Sequence, residues 1–104
     1  MDTAATQPLQ GLQSFFQRET PRMSALADQI WSLAELRYAE TASAKLHIDA
    51  LEQAGFRVTR NVADIPTAFT AEWGDAGPVL AFLAEFDALS GLNQISGALV
   101  CTPS

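Results

Sequence analysis

The feature that most constrains this chain is a six-residue apolar run, Val79 to Ala84, which is followed directly by two carboxylates. A strand with no polar face must be covered on both sides, and this is typical of an inner strand in an α/β sheet. Acids just past the carboxyl end of such a strand lie where open α/β sheets bind their ligands. We therefore expect Glu85 and Asp87 to belong to a functional site. Strand termination and hydrogen bonding within the loop are the structural alternative.

Size and charge limit the classes of protein that this chain can represent. Its 104 residues leave room for one small domain. Twelve acids against six Lys and Arg give a net charge of −6, so few groups could release counterions from a nucleic acid, and we expect no nucleic-acid partner. The longest apolar run is far shorter than the roughly 20 residues that cross a bilayer, so we expect no membrane span.

The cysteine content and the N-terminus indicate a reducing compartment. Cys101 is the only cysteine, so no internal disulfide can form, and no basic neighbour in sequence lowers its pKa. The first 17 residues are polar, with Asp2 where a secretory signal has positive charge. We expect a cytoplasmic protein in which Cys101 is an inert thiol.

Helical spacing dominates the first half of the chain. Thr20 and Pro21 suit the cap and first position of a helix, and apolar residues then recur at helical intervals at Met23, Leu26, Ala27, Ile30, Leu33 and Ala34, with Trp31 and Tyr38 widening the stripe as packing residues. A second helix is predicted from Thr41, with Ala44, Ile48 and Leu51 on its buried face, and ends at Gly55 in a left-handed conformation. His47 on this helix is expected to face solvent and to bind no metal.

Three strands are predicted after the helices. Alternation predicts strands at 56–62 and 69–73, and two glycines within 74–77 suit a hairpin loop that leads into the apolar run. The fold class is therefore α/β, with two N-terminal helices packed on three strands and Val79 to Ala84 the most buried strand. The predicted organisation is a flexible segment at 1–19, a partial catalytic domain at 20–94 and a loop or tail at 95–104.

Three segments in order and spacing carry a resemblance to a known family. They are IWSLAELRYAETASAKLHIDALEQAGFRV, IPTAFTAEWG and PVLAFLAEFDALSGLNQ. Together they cover about residues 29–94 and resemble the N-terminal part of the zinc-type amidohydrolases and exopeptidases, which include aminoacylases and carboxypeptidases. Within that family the chain is most similar to the branch of the aminobenzoyl-glutamate hydrolase B subunit.

The resemblance implies an α/β/α catalytic domain with a site for two zinc or manganese ions. It implies hydrolysis of a small-molecule amide, such as an N-acyl amino acid or an aminobenzoyl-glutamate-like substrate. Asp87 matches the family aspartate that bridges metal or orients a ligand, and Glu85 stands where peptidase members have a metal-binding His and amidohydrolase members an acid. Ser90 replaces the usual proline of the same motif. Glu35 and Glu40 also recur in the family, although a solvated helix face would explain them equally well.

Other parts of the family pattern are missing from this sequence. The His-x-Cys-Gly-His cluster and the Glu-Glu pair that carries the general base do not occur. We therefore expect no metal site formed by this chain alone, vestigial roles for Glu85 and Asp87, and a truncated N-terminal piece of a hydrolase that is inactive alone. The alternative is a non-catalytic α/β interaction module. In either case, an exposed sheet edge would favour self-association.

Overall fold

The computed structural model describes residues 3–92, and side chains from residue 8 onward. The elements in chain order are helix α1 (Thr3–Leu33), helix α2 (Thr41–Gln53), strand β1 (Arg57–Arg60), a short 3-10 turn (Val62–Asp64) and strand β2 (Phe69–Glu72). The expected mixed α/β character is confirmed in this form, as two helices and a two-stranded antiparallel sheet. The finer assignment to a zinc-exopeptidase-like domain stays a prediction.

Helix α1 begins well before the predicted start at Thr20, so that prediction is wrong. Pro8 and Pro21 both lie inside the helix. Pro21 has no N–H to donate to the preceding turn. The Thr20 hydroxyl donates to the carbonyl of Phe16, four residues earlier, at 2.5 Å. This back-bonding lets threonine occupy a helix interior rather than a cap. The division of the chain at residues 19 and 94 stays a prediction, and its last segment lies outside the described residues.

Helix α2 has the boundaries that its sequence predicts. It begins at Thr41, and Gly55 follows its end with φ at +95°. The N–H of Gly55 donates to the carbonyl of Glu52, and the N–H of Phe56 donates to the carbonyl of Leu51, both at 3.0 Å. This pair of bonds is the Schellman arrangement, in which a glycine accepts the left-handed conformation that closes a helix.

The sheet pairs β1 with β2 in antiparallel register, with Val58 opposite Ala71 and Arg60 opposite Phe69. Val58, Ala71 and Phe69 are half-buried, whereas the intervening threonines are exposed. This is the alternation of a sheet with one covered face. Strand β1 is shorter than predicted because Asn61 turns into the left-handed region at φ +56°, which leads the chain into the 3-10 turn.

The third strand that the apolar run predicts is absent from the described residues. The segment 79–84 forms neither helix nor strand, and Val79 and Leu83 are 93% and 101% exposed. Gly74 and Gly77 both have positive φ, but the turn they make does not join two paired strands. A run that is apolar on both faces needs covering layers on both sides. Here the packed face of α2, with Ala44 and Ile48 buried, is directed to α1 and the two strands instead.

Candidate functional site

The loop between the two helices forms one wall of the candidate site. Ala34 and Tyr38 have positive φ, at +48° and +64°. The N–H of Tyr38 donates to Glu40 Oε1 at 2.7 Å, and Glu40 is buried despite its charge. This bond satisfies a carboxylate oxygen at the point where the loop enters α2. The view of Glu40 as part of a solvated helix face is therefore wrong.

Glu35 caps α2 from outside the helix. Its carboxylate accepts bonds from the backbone N–H groups of Ala42 at 3.0 Å and Ser43 at 2.6 Å, which are among the first-turn donors that no helical carbonyl can satisfy. The hydroxyl and the backbone N–H of Ser43, with the N–H of Ala42, lower the pKa of Glu35, and burial opposes them. The Ser43 hydroxyl does not meet full hydrogen-bond geometry with any described residue. The two backbone N–H groups therefore form the cap, and Glu35 is not simply a solvated residue.

The segment that carries the two predicted site acids is anchored beside the same loop. The backbone N–H of Ala88 donates to the carbonyl of Glu35 at 2.7 Å, and Leu36 and Ala88 form an isolated parallel bridge. Asp87 immediately precedes this anchor. The structure therefore brings the acidic motif to the loop between α1 and α2, rather than to the end of a buried strand.

Glu85 and Asp87 line an open hollow of about 260 Å³, which we call the acidic hollow. Both side chains are exposed. The other lining residues come from the interhelical loop and from the connection before β2, and are Arg37, Tyr38, Glu40, Ile65, Thr67, Ala68 and Phe86. Three carboxylates and one guanidinium thus border a single space, which suits the binding of a polar ligand that bears opposite charges.

Arg37 differs from the other basic residues of the chain. The other five, Arg18, Arg22, Lys45, Arg57 and Arg60, each form an ion pair with a carboxylate. Arg37 is exposed and forms no ion pair within residues 3–92, although three carboxylates border the same hollow. Its guanidinium is therefore available to an anionic group, and sequence reasoning gave no signal for it beyond its position three residues before Glu40.

His47 does not face solvent as predicted. It is half-buried, with its ring centroid 4.9 Å from that of Phe86 and 6.4 Å from that of Phe69. Burial lowers the pKa of His47, which favours the neutral imidazole. Its spacing of three from Ala44 and four from Leu51 places it on the buried helix face, and this signal was present in the sequence. His47 therefore packs against Phe86, and Phe86 lies between Glu85 and Asp87 in the sequence.

The donor set does not fit a metal ion by itself. Nowhere in residues 3–92 do three His, Cys, Asp or Glu side chains gather in a way that could hold one. Zinc sites take three or four protein ligands, and Glu40 already commits one oxygen to Tyr38. Cys101 lies outside the described residues. The described residues of this chain therefore do not form a metal site by themselves.

The chain is similar in sequence to one hydrolase subunit from Escherichia coli. It is 53% identical over 76 residues, 73% of its length, to the B subunit of p-aminobenzoyl-glutamate hydrolase from Escherichia coli. This match confirms the resemblance that the sequence segments carry. It spans 16% of the E. coli protein.

The other comparisons add no relationship. No family model matches the chain, and no solved structure matches it. Across the part of the chain that the structure describes, no helix has the length and apolar character needed to cross a membrane.

Proposed function

We propose that this chain forms part of the catalytic domain of an amidohydrolase that cleaves an amide next to a carboxylate, in a substrate of the N-acyl amino acid or aminobenzoyl-glutamate class. The observation that carries the proposal is the anchoring of Asp87 beside the interhelical loop, together with the 53% identity to a hydrolase subunit. A cytoplasmic location is proposed with it, on the single cysteine of the sequence.

We assign to Asp87 and Glu85 the role of contacting the reacting amide end of the substrate. A carboxylate in an open hollow can hold an attacking water or accept a proton from it. The bond between Ala88 and Glu35 fixes the backbone next to Asp87, whose exposed carboxylate borders the hollow. Glu85 lies two residues earlier in the same wall.

Arg37 is the residue to which we assign the substrate carboxylate. A guanidinium binds a carboxylate through two parallel N–H groups, and this orients the ligand as well as binding it. Arg37 has no competing ion pair in the described part of the chain, and it borders the same hollow as Asp87. The opposite charges of the hollow would then orient the amide relative to the two acids.

In this proposal a zinc or manganese ion takes most of its ligands from motifs that this sequence lacks. Asp87 contributes at most one ligand, so the 104-residue chain alone binds these metals weakly and hydrolyses no acyl amino acid. Calorimetry that showed a tight stoichiometric zinc site in the isolated chain would contradict this part of the proposal.

The direct test is a chimera. The 76-residue matched segment of the E. coli protein is replaced by the matching segment of this chain, and hydrolysis of p-aminobenzoyl-glutamate is measured. We expect the chimera to keep activity, Asp87→Asn to abolish it, and Arg37→Met to raise KM more than it lowers kcat.

The matched controls are Asp75→Asn and Lys45→Met, which remove the same charges away from the hollow and should leave both constants unchanged. The proposal would be contradicted if the chimera folded and assembled but had no activity. It would also be contradicted if the Asp87→Asn chimera were as active as the Asp75→Asn chimera.

A further inference from the structure

The acidic hollow has a buried polar floor beneath an exposed rim. Glu40 and Thr67, which we call the floor, line the hollow and are only 8% and 7% exposed. Arg37, Glu85 and Asp87 form the rim, and all three are exposed. Because acidic side chains are almost never buried unless they are paired, the carboxylate in the floor points to a ligand that pairs with it.

One carboxylate oxygen of Glu40 has no partner among the described residues. Its Oε1 accepts the bond from the N–H of Tyr38 at 2.7 Å, and no donor within residues 3–92 binds the second oxygen. In that part of the chain, the unpartnered side-chain oxygen that is closed off from solvent belongs to Ser43. The second oxygen of Glu40 therefore reaches solvent, and it does so at the hollow that Glu40 lines. The hydroxyl of Thr67 also bonds to no described residue.

The walls and the charge of the hollow limit what the floor can bind. Ile65, Ala68 and Phe86 are half-buried and give the hollow apolar sides. Three carboxylates against one guanidinium favour a positive or N–H-bearing group, and an ionised carboxylate can only accept hydrogen bonds. The volume of about 260 Å³ is below the roughly 300 to 1,000 Å³ of sites that enclose a drug-sized ligand. The hollow therefore takes one part of a substrate.

We propose that Glu40 and Thr67 bind a primary amine on the acyl side of the substrate, so that the hollow selects amine-bearing acyl groups. This inference rests on the proposed function, because it takes the amide to lie at the rim beside Asp87 and the substrate carboxylate beside Arg37. The amine gives one N–H to each floor oxygen, and the ring or chain that carries it lies between the apolar walls. A simple acyl group would leave both floor oxygens unpaired, which is costly in a buried place.

Paired substrates test the selection in the chimera. The ratio of kcat/KM for p-aminobenzoyl-glutamate to that for benzoyl-glutamate is compared between variants, so the intrinsic reactivity of the two amides cancels. Glu40→Gln keeps an oxygen for the N–H of Tyr38 but presents an amide NH₂ to the hollow. It should lower the ratio roughly tenfold or more, through the KM of the amine-bearing substrate, because a site built around a substrate N–H discriminates strongly. Glu72→Gln, exposed on β2, should leave the ratio unchanged.

Thr67→Val provides a second variant that does not disturb the bond to Tyr38. It removes the hydroxyl at nearly constant shape and should also lower the ratio, whereas Thr70→Val, at an exposed position of β2, should not. A ratio that stayed unchanged in the folded Glu40→Gln and Thr67→Val chimeras would overturn the inference, and the hydrolase function would stand if these chimeras remained active.

Binding to the isolated chain separates the inference from the hydrolase function. NMR signals of the Tyr38 and Thr67 amides are followed while 4-aminobenzamide or benzamide is added to the 104-residue chain. The affinity should be roughly tenfold or more higher for 4-aminobenzamide. Equal affinity for the two amides, or binding of neither, would overturn the inference even if the chimera were active. Preferential binding of 4-aminobenzamide, with an inactive chimera, would support the amine site and contradict the hydrolase function.

Discussion

The carbonyl of Glu35 accepts a 2.7 Å bond from the N–H of Ala88, and the side chain of the same residue caps α2 through Ser43 at 2.6 Å. One residue thus joins the acidic motif to the start of the second helix. Because the side chain and the backbone of Glu35 act on different elements, substitutions of the side chain test the cap while leaving the backbone anchor in place.

We expect Glu35→Gln to destabilise the chain above pH 4.5 and to make its stability less dependent on pH. The folded-state pKa of Glu35 lies below its ordinary value of 4.5. The contribution is therefore present above the unfolded-state pKa and is lost as the pH falls through the folded-state pKa. Denaturant melts between pH 3 and pH 7 measure this difference. Glu72→Gln on the exposed face of β2 is the control, and an equal change in both variants would refute the cap.

We expect a second pH dependence of the free energy of unfolding, which arises from His47 and falls in a higher pH range than that of Glu35. Burial lowers its pKa below the ordinary 6.5, so the neutral form contributes stability above pH 6.5, and this is lost as the pH falls through the folded-state pKa. His47→Leu should remove the loss of stability between pH 7 and pH 5 while keeping the contact with Phe86. An NMR titration that gave His47 a pKa at or above 6.5 would contradict this.

The helix boundaries show how much of the fold could be predicted from sequence. Thr41 and Gly55 define α2 through local rules of capping and left-handed geometry, and these rules hold whatever surrounds the helix. Thr20 and Pro21 satisfy the same local rules, yet they lie inside α1, where the Thr20 hydroxyl donates to the carbonyl of Phe16. Local chemistry predicts where a helix can begin, but several positions can satisfy it.

The apolar run shows why the third strand could not be predicted correctly. A strand with this apolar pattern must be covered by other elements on both faces. The residues from Val79 to Ala84 do not themselves indicate whether such covering elements are present. Glu85 and Asp87 stay candidate site residues, and they border an open hollow. Arg37 and His47 could not be assigned together with them, since both are brought to the motif by the Ala88 anchor and by helix packing rather than by proximity in sequence.

The described core predicts a contrast between Ile48 and Leu83. Ile48 is buried on the packed face of α2, whereas Leu83 is fully exposed. Ile48→Ala should cost about 2 to 5 kcal/mol, the range for deletion of a packed aliphatic side chain. Leu83→Ala should change the free energy of unfolding by less than about 0.5 kcal/mol, as at other surface sites, in melts dilute enough to keep the chain monomeric. A large loss for Leu83→Ala would show that the apolar run is packed within the monomer.

Two glycines provide a matched pair in which the same substitution should act in opposite directions. Gly55 has φ at +95°, and a Cβ there would meet only Trp73 Nε1 at 3.8 Å, an ordinary contact. The cost of Gly55→Ala is therefore conformational, about 1 to 2 kcal/mol for an L-residue in the left-handed region. Gly11 lies inside α1, and a Cβ added there would have no neighbouring atom within 4 Å, so Gly11→Ala should stabilise the helix by about 0.5 to 1 kcal/mol. Thermal melts of the two variants decide this: if Gly55→Ala were neutral, the Schellman closure of α2 would be wrong, and if Gly11→Ala were destabilising, α1 would not extend to that position.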